Sequence, residues 1–295
     1  MTTDTLAGIR FGVSIPPAVT PGADPAAEAR HAEELGFDLV TVMDHLHGQN
    51  PSLETWTVLT WIAARTERIQ VAPNVLGLPY RHPAVTAKMA ETLDRLSGGR
   101  FVLAVGAGGS NTEFGAFGLD VRSRPEKVEA LEEAIDIIRG VWAGPEFTYQ
   151  GKHFHTDAAT IEPRPERSIP IWLGVYGNRM LDLLGRKADG WLPSKIYLPL
   201  EPAREKMDRI KKAAADAGRD PEEITYAYNV SVLVKEGATP RNGQIAGSPD
   251  EVAESLIELF ESGFTFLNFW PSGSNQAEQR QRLANEVLPA VRQTL

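Results

Sequence analysis

Two ionisable residues, Asp44 and His45, directly follow the apolar run LVTVM at residues 39–43. Histidine titrates near neutral pH, so an imidazole at this place is suited to taking up or returning a proton during a reaction. The alternative is a loop histidine whose ring is satisfied by Asp44 and has no catalytic part, and the spacing alone favours neither. We therefore treat His45 and Asp44 as the candidate catalytic residues.

Two glycine-rich segments, GAGGS at residues 106–110 and GVYGN at residues 174–178, are candidate ligand-binding loops. Glycine lets a backbone approach a ligand closely, and GVYGN also opens a predicted helix whose free N–H groups can bind an anion. Ordinary turn formation is the alternative, but two such clusters at strand ends favour ligand contact. The predicted contact residues in these segments are Gly106, Gly108, Gly109, Ser110, Gly174, Val175, Tyr176, Gly177 and Asn178.

The composition narrows the class of protein. The chain has 295 residues, 42% of them apolar, no cysteine and a formal net charge of −9. Without cysteine, and with no histidine pair at zinc-binding helical spacing, we predict no metal site. The acidic balance argues against nucleic-acid binding, and we see neither a signal peptide nor an apolar run of about 18 residues that could span a membrane. We expect a cytoplasmic enzyme or binding protein.

Short β-rich runs and amphipathic helices alternate along the chain. The strand candidates are residues 9–15, 37–43, 69–76, 101–108, 169–175, 189–194, 224–234 and 264–270. The helix candidates are residues 24–36, 53–67, 82–99, 124–142, 178–188, 201–218, 248–263 and 276–293. This alternation predicts an α/β fold, a (β/α)8 TIM barrel in a single domain at residues 1–295, with a short hairpin insertion within residues 144–168 after the fourth helix.

A doubly wound sheet is the rival fold, but Ser14 and the two prolines that follow it cannot form the glycine-rich turn of that fold. In a TIM barrel the active site lies at the C-terminal ends of the strands, where both candidate groups fall. Other strand ends add Ser14, Asn74 and Val75 to the predicted ligand contacts.

Three stretches resemble the luciferase-like monooxygenase superfamily, in the branch that uses the deazaflavin coenzyme F420. They are LGFDLVTVMDH, HPAVTAKMAETLDRLSGGRFVLAVGAGG and IPIWLGVYGNRMLDLLGRKADGW. The resemblance covers nearly the whole chain and implies a TIM barrel in which His45 lies beside the reactive carbon of the cofactor and acts as a base. It also implies that Asp44 orients the imidazole, that a cis peptide joins Asn74 to Val75 behind the cofactor ring, and that GVYGN binds the cofactor phosphate.

One position departs from this pattern. Members that oxidise sugar phosphates or secondary alcohols carry a glutamate directly after the glycine pair, where this chain has Gly109, and the nearest other acid is Glu113. Those substrates are therefore disfavoured. We predict a homodimeric F420-dependent oxidoreductase that moves a hydride between the deazaflavin and a small organic substrate. There are two alternatives. One is a monooxygenase whose cofactor is FMN in its reduced form, FMNH2, and the other is a flavin-binding protein without turnover.

Overall fold

The computed structural model describes residues 8–19 and 22–295. Within these residues the strands are β1 (Arg10–Ser14), β2 (Leu39–Val42), β3 (Gln70–Pro73), β4 (Leu76–Gly77), β5 (Leu103–Gly106), β6 (Phe147–Gln150), β7 (His155–Ala159), β8 (Ile171–Leu173), β9 (Gly190–Trp191), β10 (Thr225–Val234), β11 (Gln244–Gly247) and β12 (Phe266–Pro271). The α-helices are α1 (Pro25–Glu34), α2 (Thr55–Ala63), α3 (Pro83–Leu96), α4 (Asn111–Ala116), α5 (Arg124–Ala143), α6 (Asn178–Lys187), α7 (Leu200–Asp216), α8 (Pro249–Glu261), α9 (Gln276–Arg282) and α10 (Leu288–Thr294).

The main sheet is parallel and nearly closed, with the order β3-β2-β1-β12-β10-β9-β8-β5-β4. β3 and β4 are two parts of one strand position, since β3 pairs with β2 and β4 pairs with β5. A bridge between Val71 and Phe101 joins the two edges, where Val71 N–H donates to Arg100 O at 2.9 Å and Val102 N–H donates to Val71 O at 3.0 Å. The predicted TIM-barrel fold is confirmed.

The core has two layers, which follow from the alternation of side chains along each strand. Inside the barrel pack Leu39, Ala72, Val102, Ala104, Trp172, Leu192, Ala227 and Phe266, with Val75 against them. The other faces of the same strands, such as Leu103 and Val105 of β5, pack against the helices. Both faces are covered, so the strands consist of nearly continuous apolar runs.

Local sequence signals set the helix ends. Pro25 starts α1 because Asp24 accepts from the N–H groups of Ala26 and Ala27 at 3.0 and 3.1 Å. At the other end of this helix Gly36 adopts a positive φ of 82°, which favours glycine.

Some elements differ from the sequence-based expectation. The short helix α4 and the strand β11 were not predicted, and the last predicted helix is interrupted by a π-helical turn at Leu283–Val287. Residues 147–159 contain the antiparallel pair β6 and β7, which follows α5. The single domain at residues 1–295 stays a prediction, and most of the region searched for a signal peptide, residues 1–7, lies outside the described residues. No helix in the described part of the chain is long and apolar enough to cross a membrane.

Candidate active site

A cleft of about 1450 Å³ opens at the C-terminal ends of the barrel strands. It exceeds the roughly 300–1,000 Å³ of a usual ligand pocket, so a cofactor and a substrate can share it. The predicted residues that line it are Asp44, His45, Asn74, Val75, Gly106, Gly108, Gly109, Ser110, Gly174, Val175, Tyr176, Gly177 and Asn178. Ser14 is the exception, because its side chain is buried at the end of β1 and is not part of the cleft wall.

Val75 projects between two of the predicted glycines. The peptide bond between Asn74 and Val75 is cis, as the family resemblance implied. A Cβ atom added to Gly106 would lie 2.7 Å from Val75 Cγ2, and one added to Gly174 would lie 3.0 Å from both Val75 methyl groups. These two glycines therefore make room for Val75, whose isopropyl group forms an apolar surface in the cleft.

A chain of buried amides holds this segment from inside the barrel. Asn74 and Asn229 exchange hydrogen bonds of 2.8 and 3.1 Å between their side-chain amides. Asn268 donates to Asn229 Oδ1 at 2.7 Å and to Thr41 Oγ1 at 3.1 Å. The sequence signal for this network was a polar residue in or directly after an otherwise apolar strand, but the pairing of Asn74, which follows β3, with residues of β2, β10 and β12 is visible only in the fold.

The N-terminus of α6 forms a potential anion site. Gly177 is the N-cap, and within the described residues no side chain caps this helix. Exposed helical N–H groups and the helix dipole favour an anion here. Three cations, Arg124, Lys127 and Arg179, also line the cleft. Lys127 donates to Gly108 O at 2.6 Å, and burial lowers the pKa of its ammonium group.

His45 is held by a carboxylate that lies far along the chain. Its Nδ1 lies 2.8 Å from Glu113 Oε1, and Tyr80 donates its hydroxyl to Glu113 Oε2 at 2.6 Å. Burial raises the pKa of Glu113, but the hydrogen bonds from Tyr80 and His45 outweigh it, so the pKa lies below its ordinary value. Burial and the bond to Glu113 raise the pKa of Tyr80, which remains a phenol and a donor at neutral pH.

The expectation that Asp44 orients His45 is wrong. Asp44 Oδ2 accepts from Gly77 N–H at 2.9 Å and lies 3.7 Å from Arg81 Nη1. Burial raises the pKa of Asp44. The two neighbours therefore bond to different partners, His45 to Glu113 and Asp44 to Gly77. Asp44 instead anchors β4 at the edge of the cleft.

The residues that line the cleft can contact both an apolar ring and an anionic group. Asp44 and Trp270 line the cleft, and their buried atoms Oδ1 and Nε1 have no hydrogen-bond partner among the described residues. Val75 offers an apolar contact for a ring, and the α6 N-terminus with Arg179 offers positive charge for a phosphate or carboxylate. The described residues contain no cluster of three or more His, Asp or Glu side chains able to hold a metal ion. This donor set suits a flavin or deazaflavin.

The luciferase-like monooxygenase family model matches residues 5–242, so the chain belongs to that family. An F420-dependent glucose-6-phosphate dehydrogenase of Nakamurella multipartita is 33% identical over 331 aligned positions, which cover 96% of this chain and 97% of the relative. A protein with the same description from Microbacterium testaceum is 29% identical, with coverages of 88% and 91%. A 5,10-methylenetetrahydromethanopterin reductase of Archaeoglobus fulgidus is 32% identical and covers 76% of this chain and 66% of its own.

Solved structures show the same fold. An F420-dependent secondary alcohol dehydrogenase in complex with an F420-acetone adduct has a TM-score of 0.85 at 19% identity and covers 96% of this chain and 99% of its own. A Baeyer-Villiger monooxygenase component of Pseudomonas putida in complex with FMN has a TM-score of 0.77 at 18% identity, with coverages of 96% and 98%. The barrel alone therefore does not distinguish the two cofactors.

Proposed function

We propose that this chain is an F420-dependent oxidoreductase that moves a hydride between the deazaflavin and a small organic substrate. The observation that best supports this proposal is that His45 with its Glu113 partner, the Val75 surface and the N-terminus of α6 all line one cleft. The relatives described as F420-dependent enzymes favour this function over an FMNH2-dependent monooxygenase or a flavin-binding protein without turnover.

The residues that would hold F420 fall into two groups, those that would bind its anionic groups and those that would contact its ring. The N–H groups at Gly177 and Asn178, with Arg179, would bind anionic groups, and Val75 would contact the ring. When bound, F420 supplies a ring carbon that accepts or donates a hydride. Asp44 lines the same cleft with a side chain that is fully buried, so it would support the site through its bond to Gly77 N–H.

His45 handles the proton that accompanies the hydride. For a hydroxyl substrate other than the sugar phosphates and secondary alcohols that Gly109 disfavours, the imidazole would take up the O–H proton as the C–H hydride leaves, and in the reverse reaction it would return the proton to a carbonyl oxygen. The His45 side chain is 65% exposed, so it can exchange that proton with water. We infer that proton transfer is its role, since a histidine is suited to this exchange near neutral pH.

The remaining assignments are proposals that rest on the surface and the composition. A homodimer fits the exposed apolar side chains on the neighbouring helices α2 and α3, namely Trp61, Val85 and Leu96 with exposed fractions of 50%, 52% and 73%. The net charge of −9 fits a protein that does not bind nucleic acid. A cytoplasmic location is proposed from the cysteine-free composition.

A titration with F420 and FMN in separate experiments tests the function. We expect F420 to quench its fluorescence on binding at about micromolar Kd, roughly −8 kcal/mol, and FMN to bind far more weakly. Candidate alcohols and carbonyl compounds are then screened for a change in deazaflavin absorbance. Tight FMN binding without F420 quenching would contradict the proposal.

A further inference from the structure

We propose that Glu113, supported by Tyr80, is the positioning residue of His45: it keeps the imidazole proton on Nδ1 and leaves Nε2 as the atom that exchanges a proton with the substrate. This inference deepens the proposed function and rests on it. It gives a role to the contact between His45 and Glu113, which lie 68 positions apart in the sequence and which the sequence alone did not predict to be partners.

The first support is the direction of the hydrogen bond. A carboxylate accepts and cannot donate when ionised, and the pKa of Glu113 lies below its ordinary value because the bonds from Tyr80 and His45 outweigh the effect of burial. With Nδ1 only 2.8 Å from Glu113 Oε1, the proton of a neutral ring must lie on Nδ1. The lone pair of the neutral ring is then on Nε2.

The second support is that Glu113 is itself held in place. Its backbone N–H is close to Ser110 Oγ, which caps α4. The next residue, Phe114, is 3% exposed and lies 5.0 Å from the ring of Tyr80 between centroids. Tyr80 also donates to Glu113 Oε2. The carboxylate therefore has little freedom to leave the imidazole.

The third support is the difference in exposure. The Glu113 side chain is 12% exposed, whereas that of His45 is 65% exposed. The carboxylate is thus mostly buried, while the imidazole is open to the cleft and to solvent. A second histidine, His47, lies close enough to Glu113 to act on its charge. The ring of His47 packs against Phe117, and His45 is the histidine that bonds to Glu113.

The proton step follows from this geometry. With F420 bound to accept the hydride of a substrate C–H bond, Nε2 would take up the proton of the adjacent substrate O–H group as the C=O bond forms. The resulting imidazolium donates from Nδ1 to the Glu113 carboxylate, which stabilises its charge. In the opposite direction Nε2 would return the proton to the substrate oxygen.

The direct test is ¹⁵N NMR of the cofactor-free protein, which reports which ring nitrogen of each of the six histidines carries the proton. His45→Ala assigns the His45 signals by their loss. We expect neutral His45 to be protonated on Nδ1 in wild type and predominantly on Nε2 in Glu113→Ala. Wild-type protonation on Nε2, or a tautomer unchanged in Glu113→Ala, would overturn the proposal.

A matched control exists in the same chain. Glu129 lies 3.1 Å from His153 Nε2 outside the cleft, so Glu129→Ala removes a carboxylate from a different histidine. We expect it to alter the His153 signals and to leave the His45 tautomer and catalytic activity unchanged. A change in His45 in both variants would indicate a general disturbance and overturn the specific role of Glu113.

Kinetics provide the second readout. Glu113→Gln keeps the side-chain size and should fold, but it removes the charge that stabilises the imidazolium. We expect kcat to fall by about 10²-fold, the lower end of general acid–base effects, with little change in the Kd of F420. Unchanged kcat would overturn the proposal. Failure of the proposed function would appear separately, as absence of F420 binding in wild type with the predicted His45 tautomer still present.

Discussion

Gly177 offers the sharpest test of the anion site. Its backbone, with φ −77° and ψ 144°, has the extended conformation that suits an N-cap. A Cβ atom at Gly177 would meet nothing within 4 Å, so the site has room for a side chain. In the same chain Asp24 caps α1 by accepting from two N–H groups. Gly177→Asp should likewise cap α6, but with a carboxylate in the space where an anionic cofactor group is expected.

The two effects of Gly177→Asp have opposite signs. Aspartate is a better N-cap than glycine by about a few tenths of a kcal/mol, and its charge adds about 0.3–1 kcal/mol, so the free energy of unfolding should rise by roughly 0.5–1 kcal/mol. Two anions about 4 Å apart repel by about 1 kcal/mol in water and about 4 kcal/mol at an effective dielectric constant near 20. The Kd of F420 should therefore increase about 5- to 10³-fold.

Fluorescence titration with F420 measures the affinity, and chemical denaturation of the cofactor-free protein measures the free energy of unfolding. Gly177→Asn is the matched control, because its side chain also caps a helix but carries no charge. We expect this control to stabilise α6 and to weaken F420 binding much less. If Gly177→Asp bound F420 as tightly as wild type while gaining stability, the cofactor anion would not lie at α6.

Three further substitutions test other parts of the site and scaffold. Gly106→Ala places a Cβ 2.7 Å from Val75 Cγ2, so F420 affinity measured by titration should fall by about tenfold, or 1.4 kcal/mol; unchanged affinity would show that Val75 does not contact the cofactor. His45→Ala should lower kcat by about 10²- to 10⁴-fold with a modest change in Kd, and a near wild-type single-turnover rate in stopped-flow absorbance would reduce His45 to a binding residue. Glu33 accepts from the N–H groups of residues 67–69. Burial raises the pKa of Glu33, but these hydrogen bonds outweigh burial, so the pKa lies below its ordinary value. Its stabilisation is therefore present above the ordinary glutamate value and is lost as pH falls through the folded-state pKa, so wild type and Glu33→Gln should converge in acid denaturation curves, whereas a constant difference would refute this role.

The barrel was predictable because each buried strand is a run of apolar residues and each helix has a periodic apolar face. Residues 101–108 predicted a strand, and β5 occupies the apolar part of that run. The helix α4 was missed because it is six residues long, too short to show a helical repeat. β11 was missed because only Ile245 and Gly247 of its four residues are buried.

The cleft residues were predictable from topology, since strand ends meet on one face of a barrel. The hydrogen-bond partners of these residues were harder to predict from the sequence. Asp44 is adjacent to His45 in the sequence and was predicted to orient it, but the Asp44 carboxylate bonds to Gly77 N–H and His45 bonds to Glu113. Glu113 reaches His45 only because α4 turns back over the cleft after β5. A contact between residues so distant in sequence depends on the whole fold, and local patterns carry no signal for it.

Residues of the barrel wall also fix the surface that is expected to contact the cofactor ring. Asn74 is tied to Asn229 inside the barrel, and on the far side of Val75 the backbone N–H of Gly77 donates to Asp44. Val75 lies between these two attachments, with Gly106 leaving space for its methyl groups. Anchoring on both sides limits the movement of Val75. A surface that is to position a cofactor ring relative to His45 has to be rigid. The polar residues Asn229 and Asp44 of the barrel wall therefore hold Val75 in place through their bonds to Asn74 and Gly77.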